Sequence, residues 1–179
     1  MVLKGADISK YHINPTNNYI CFKPENFQQV APTELYRAEE KLLYRFISSQ
    51  LVFAYDNKQT LSLNSCNIVI PKIPGTNMKY VMAILNSRIA QFIYKREFHS
   101  VKVLRSHIEN IPIPLVDNAT QNRIIQITDK LISGLELKQA ETIYDELDNL
   151  IAEIFQLNPS EMEIIKKAVD GENKFLERV

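Results

Sequence analysis

Pro24-Glu25 followed by Glu39-Glu40-Lys41 offers the carboxylate and Glu-x-Lys set with which many nucleases hold a metal ion and poise a water. The apolar residues around the second triplet follow helical spacing, however. On a helix face such a triplet is ordinary solvated charge, so the nuclease reading is set aside. Asn14-Pro15-Thr16 approaches the Asn/Asp-Pro-Pro-Tyr/Phe loop that grips a flipped adenine for N6 methylation, but it fails at the third position. Four scattered glycines supply neither a cofactor loop nor a phosphate cradle. His12, His99 and His107 have no paired spacing, and Cys21 and Cys66 do not form a zinc signature. No catalytic residue and no metal ligand is therefore assigned, and the two cysteines read as reduced thiols of a cytoplasmic protein.

The remaining chemistry is cationic. Residues 79–110 carry Lys79, Arg88, Lys95, Arg96, Lys102 and Arg105 against Glu97 and Glu109, with Tyr94, Phe98 and His99 interleaved. A second patch joins Lys41, Tyr44 and Arg45 to Asn57, Lys58 and Gln59. Such side chains position phosphates or read base edges. The formal net charge of zero hides a split: residues 1–110 hold 14 Lys or Arg against 8 Asp or Glu, a net of +6, and residues 111–179 hold 7 against 13, a net of −6. Any contact with DNA phosphates belongs to the first part. The candidate DNA contacts are Lys41, Tyr44, Arg45, Asn57, Lys58, Arg88, Lys95, Arg96, His99, Lys102 and Arg105.

The elements that must position these residues follow from pattern and punctuation. Thr33 is a candidate N-cap, and Leu35, Leu42, Leu43, Phe46 and Ile47 predict a helix to about Ser48. Leu51 to Tyr55 reads as a strand ending in a turn at Asp56-Asn57. Residues 61–70 read as two strand pieces with a register change near Cys66. Asn77 is expected to cap a helix with the buried stripe Val81, Ile84, Leu85, Ile89, Phe92 and Ile93, ending near Lys95-Arg96. Val101-Lys102-Val103 predicts a brief strand, Leu104 to Asn110 a helical turn or two, and Pro112 and Pro114 an extended exit. Beyond Thr120 only helices are expected. One is marked by Ile124, Ile127, Leu131 and Leu135. A second carries Ile143, Leu147, Leu150, Ile151 and Ile154. A short last one starts in the capping-box form Ser160 to Glu163 and stops at Gly171. The fold class is α+β: a mixed β-sheet globule with flanking helices over residues 1–117, then a helical appendage over 118–179. No apolar run approaches the ~20 residues of a membrane span, so no membrane partner is expected.

The order of several motifs resembles the C-terminal specificity domain of TaqI-like N6-adenine DNA methyltransferases and restriction-modification enzymes. They are Lys4-Gly5-Ala6-Asp7-Ile8 with Tyr11, the segment Leu42 to Asp56 with Arg45 and Ala54-Tyr55-Asp56, Leu85-Asn86-Ser87, and Ile111-Pro112-Ile113-Pro114. The pattern closes with Leu147-Asp148-Asn149-Leu150-Ile151 to Phe155, Leu157 and Glu161. The resemblance runs from Leu3 to Ile165. It implies target recognition on double-stranded DNA in a bacterial Type II system, shared with a separate methyltransferase catalytic domain and often a nuclease domain. It implies no cofactor in this chain, because S-adenosylmethionine would bind the catalytic domain. The chain then looks like part of a larger enzyme and is not catalytic by itself. The alternatives are one half of a Type I restriction specificity subunit, or a protein-interaction domain that docks through its acidic helices.

Overall fold

The computed structural model describes residues 1–170. Its strands are short and fall into three small sheets. A three-stranded antiparallel sheet has β4 (Lys41–Arg45) at its centre, between β5 (Phe53–Asp56) and β7 (Cys66–Val69). β1 (Val2–Leu3) pairs in parallel with β6 (Leu61–Ser62), and β2 (Ile8–Ser9) forms a tight hairpin with β3 (His12–Ile13). The helices are α1 (Thr33–Tyr36), α2 (Met78–Asn86), α3 (Arg88–Glu97), α4 (Arg105–Glu109), α5 (Asn118–Ile132), α6 (Leu137–Ile154) and α7 (Pro159–Asp170). The mixed α+β class expected from the sequence is the class observed. Among the described residues no helix is long and apolar enough to cross a membrane.

Three expectations need correction. The helix over residues 33–48 is a single turn, α1, followed by the central strand β4. Leu42 and Tyr44 enter the large core shared with the helices, and Leu43 enters a smaller one with Leu3, Ile8, Ala54 and Cys66. A strand covered on both faces reads as a continuous apolar run, and here that run imitated helical spacing. The second helix is two helices. Ser87 is extended (φ −64°, ψ 158°), and its hydroxyl accepts from the Ala90 amide at 3.1 Å, so it caps α3. The capping box of α7 sits two residues earlier than expected: Asn158 Oδ1 accepts from the Glu161 amide at 3.0 Å, and Glu161 Oε2 accepts from the Asn158 amide at 2.8 Å. Gly171, expected to stop that helix, lies outside the described residues.

The other elements follow their local signals. Asn77 caps α2 by accepting from the Lys79 amide, and the Val101 to Val103 segment forms a single bridge between Lys102 and Ile47. The two strand pieces of 61–70 separate into different sheets, β6 beside β1 and β7 beside β4. Gly5 is needed for close approach: a Cβ there would lie 2.5 Å from the Ser65 carbonyl oxygen.

One apolar cluster runs through the whole described chain. Leu42, Phe53, Tyr80 and Ile84 share it with Ile124, Tyr144, Leu147 and Ile151. α5 docks on the start of α2, where Gln121 Oε1 accepts from the Asn77 amide at 3.0 Å and Gln121 Nε2 donates to the Gly75 carbonyl at 2.8 Å. Packing therefore crosses the 117/118 boundary. A chain cut after Asp117 would leave the outer faces of Tyr80, Ile84 and Leu85 without their cover, so it is expected to lose the cooperative unfolding transition of the full chain in a urea titration. Gly5→Ala in the full chain is expected to cost about 1–3 kcal/mol in the same measurement, because the obstructing atom is backbone.

Candidate nucleic-acid interface

β5 is an edge strand, and its outer side is covered by side chains and by the Tyr11 amide of the β2–β3 hairpin, which donates to the Phe53 carbonyl at 2.9 Å. Asn86, the last residue of α2, accepts from the Phe53 amide through Oδ1 and donates to the Phe53 carbonyl through Nδ2, both at 2.9 Å. Gln91 Oε1 accepts from the Leu51 amide at 2.8 Å. These carboxamides supply the ladder that the edge lacks. Asn86 reaches the strand from the last turn of α2, and the break at Ser87 lets Gln91 reach it from α3.

The same break starts α3 with Arg88 among three carboxylates. Its guanidinium donates at 2.8 Å to Asp145, Asp148 and Asp170, and its amide donates to Asp148 at 3.2 Å. The buried Asn86 carbonyl accepts from Lys10 Nζ at 2.8 Å and from the Tyr144 hydroxyl at 2.7 Å. Lys10 and Tyr11 are the turn residues of the β2–β3 hairpin, both buried, with Tyr11 at φ 65°. Burial pushes the Asp148 carboxyl up to about 6, with Arg88 and Lys10 opposing the rise. Burial drives Lys10 well below the ordinary lysine value against the pull of Asp148. Because Arg88 is permanently charged and in contact, Asp148 stays a carboxylate at neutral pH.

Arg88 therefore serves the interior, and so does Lys41. Lys41 Nζ lies 2.6 Å from Asp56 Oδ2, both groups are buried, and Lys41 also donates to the Tyr36 carbonyl at 2.8 Å. Burial alone would raise Asp56. The Lys41 contact and two hydrogen bonds from Thr60 overcome that and hold its carboxyl below the usual range. Glu39-Glu40-Lys41 thus sits at a strand start and not in a helix, but its lysine is spent on Asp56. Among the described residues no three His, Cys, Asp or Glu side chains gather as a metal site. Arg45 Nε donates to the Ile8 carbonyl at 2.8 Å and ties β4 to β2.

Asn57 and Lys58 are exposed in the turn after β5, while Lys102 pairs with Ile47 beyond the other end of β4. Six residues separate the two levels along the chain from Lys41 to Ile47, roughly 20 Å of extended backbone, so the two patches face opposite ends of the sheet. Near the Lys58 end a cleft of about 580 Å³ is walled by Phe22, Phe27 and Tyr36 and carries no charged lining residue, a feature no sequence motif announced.

The other cations lie on one continuous stretch. Lys95 and Arg96 end α3, where cations suit the helix dipole, and His99, Lys102 and Arg105 follow, all three exposed. The stretch is pinned at both ends. Phe98 stacks on His107 with ring centroids 4.2 Å apart, and Tyr94 packs beside both. Ser48 donates its amide to the Val101 carbonyl at 3.0 Å, and Val103 donates to that of Phe46 at 2.8 Å. Arg105 pairs with the exposed Glu109, and its charge also acts on the Tyr44 hydroxyl, which accepts from Asn67 Nδ2 at 3.4 Å. Tyr44 thus brings a hydroxyl to this end of the sheet from a buried ring. Asn67 was absent from the sequence candidates because only strand pairing places it beside Tyr44.

The family model for the TaqI-like C-terminal specificity domain matches residues 1–113. The chain belongs to that family. The match ends within the Ile111 to Pro114 exit, so the likeness read from Leu147 to Glu161 lies beyond it. As a specificity domain, the family points to DNA recognition within restriction-modification enzymes. No curated protein matches the chain.

Asp56→Asn is expected to cost on the order of 3 kcal/mol at neutral pH, because it strands the buried Lys41. The sign of the pH dependence follows from the lowered carboxyl: its contribution is complete above the unfolded value of about 4 and is lost as pH falls through the folded value. The difference between wild type and variant in urea titrations should therefore shrink below about pH 4. Arg88→Ala is expected to lower stability by a similar amount, on the order of 3 kcal/mol, by leaving Asp148 buried and unpaired.

Proposed function

We propose that this chain is the target-recognition domain of a bacterial, cytoplasmic Type II restriction-modification enzyme that methylates adenine at N6. It holds double-stranded DNA against the stretch from Lys95 to Arg105, with the Tyr44 hydroxyl and Asn67 beside it. The observation that carries this reading is the pinned cationic stretch, exposed at Arg96, His99, Lys102 and Arg105, inside the family match, in a chain whose Lys41, Arg45 and Arg88 are engaged internally. Lys95, Arg96, Lys102 and Arg105 would bind phosphates, and His99 and Asn67 would approach base edges. The methyl group would come from S-adenosylmethionine on a separate catalytic domain of the parent enzyme, and this chain would carry no catalysis of its own. Asn57 and Lys58 would form a secondary contact from the far end of the sheet.

The acidic tail fits the same reading. Asp145, Asp148 and Asp170 are turned onto Arg88, so part of the negative charge of residues 111–170 is neutralised within the fold. The helices would then brace the recognition surface and offer their outer faces to the catalytic domain. The test is fluorescence anisotropy of the full chain with duplex DNA from 50 to 200 mM salt. Binding is expected to be micromolar or weaker on non-specific duplex and to fall steeply with salt. Lys102→Ala and Arg105→Ala should each reduce the slope of log affinity against log salt by about 0.9. Affinity that stays flat across that range would refute the proposal.

A further inference from the structure

We propose that Ile47 and Leu104 form an apolar ridge that contacts thymine methyl groups in the DNA major groove while Lys102 and Arg105 hold the flanking phosphates. The inference rests on the DNA-recognition reading above and names the base chemistry of that surface. Large exposed apolar side chains in the described chain are mostly scattered, but these two come together at 55% and 40% exposure. The bridge accounts for the grouping. Ser48 donates to Val101 and Val103 to Phe46, which makes Ile47 and Lys102 a non-hydrogen-bonded antiparallel pair with side chains close together on one face. Leu104 is two residues beyond Lys102 in extended backbone, so it returns to that face. Val103, of opposite parity, is buried and anchors the segment.

Charge selects the occupant. Lys102 shares the face of Ile47 and Leu104, and Arg105 follows Leu104 directly. From Phe98 to Ile108 there is no acidic residue, and Glu109 just beyond holds Arg105 only in an exposed pair that a phosphate can replace. The buried centre of a protein–protein contact is depleted in charge, whereas a DNA groove presents apolar methyl groups a few ångströms from rows of phosphate. An alternation of apolar and cationic side chains on one rigid edge matches the groove. Thymine is the base that offers a methyl group there, and uracil in the same pairing removes it without altering the hydrogen-bonding edge.

The experiment compares the full chain on an alternating adenine–thymine duplex and on the same duplex made with deoxyuridine, at low salt. Wild type is expected to bind the thymine duplex about fourfold more tightly for each methyl group covered. Ile47→Ser and Leu104→Ser should lose this preference and still bind both duplexes with the wild-type salt slope. Lys102→Ala should weaken both duplexes equally and keep the preference. Leu104→Ser, in the partly exposed stretch after the bridge, carries the test alone should Ile47→Ser fail to fold. Equal affinity of wild type for the two duplexes, or an undiminished thymine preference in the serine variants, would overturn the ridge and leave DNA recognition standing. No salt-dependent binding to either duplex would overturn both.

Discussion

The break in the helix at Asn86-Ser87-Arg88 is the constraint on which the rest of the architecture depends. An unbroken helix from Met78 to Glu97 would leave Asn86 at Phe53 but carry Arg88 and Gln91 along the α2 axis, away from their partners. With Ser87 extended, three consecutive residues each complete a different element: Asn86 finishes the edge of the sheet, Ser87 starts α3, and Arg88 gathers carboxylates from α6 and α7. The Lys10-Tyr11 hairpin tip plugs the same point from the other side. Sheet, hairpin and helical tail meet within one hydrogen-bonded network. Breaking it exposes charge to a low-dielectric interior, where an unpaired group is expensive.

That joint explains why motifs resembling a specificity domain contain so few residues fit to read DNA. Leu85-Asn86-Ser87, Asp148 and the Gly5 to Tyr11 segment all serve the fold. Gly5 admits the Ser65 backbone, Tyr11 meets the joint, and Asp148 balances Arg88. The stretch after α3, by contrast, contributes Val103 and Ile108 to the core and turns His99, Lys102 and Arg105 outward.

Much of this was legible in the sequence where local chemistry decides. Asn77 as a cap, the prolines of the 111–114 exit, the strand before Asp56 and the helices after Thr120 all follow from side-chain rules that act over a few residues. What was hidden depends on long-range partners. Lys41 to Arg45 becomes a strand because Phe53 to Asp56 and Cys66 to Val69 flank it, and no local pattern announces partners 9 to 27 residues away. Arg88 looked like one more surface cation because its three partners lie 57, 60 and 82 residues downstream. The basic stretch was legible as charge, but its apolar members were not. Ile47 was counted toward a buried helix face, and only the bridge to Lys102 brings it beside Leu104.

The Phe98–His107 stack has a consequence for how the surface would engage its ligand. With that stack at one side and the bridge to Ile47 at the other, the intervening loop reaches its shape before any encounter. A pre-shaped loop gives up little conformational freedom on docking, so association should proceed without a slow ordering step, and affinity differences among substrates should appear mainly as dissociation rates. Loosening the aromatic stack would then weaken binding from a position that need never touch the ligand.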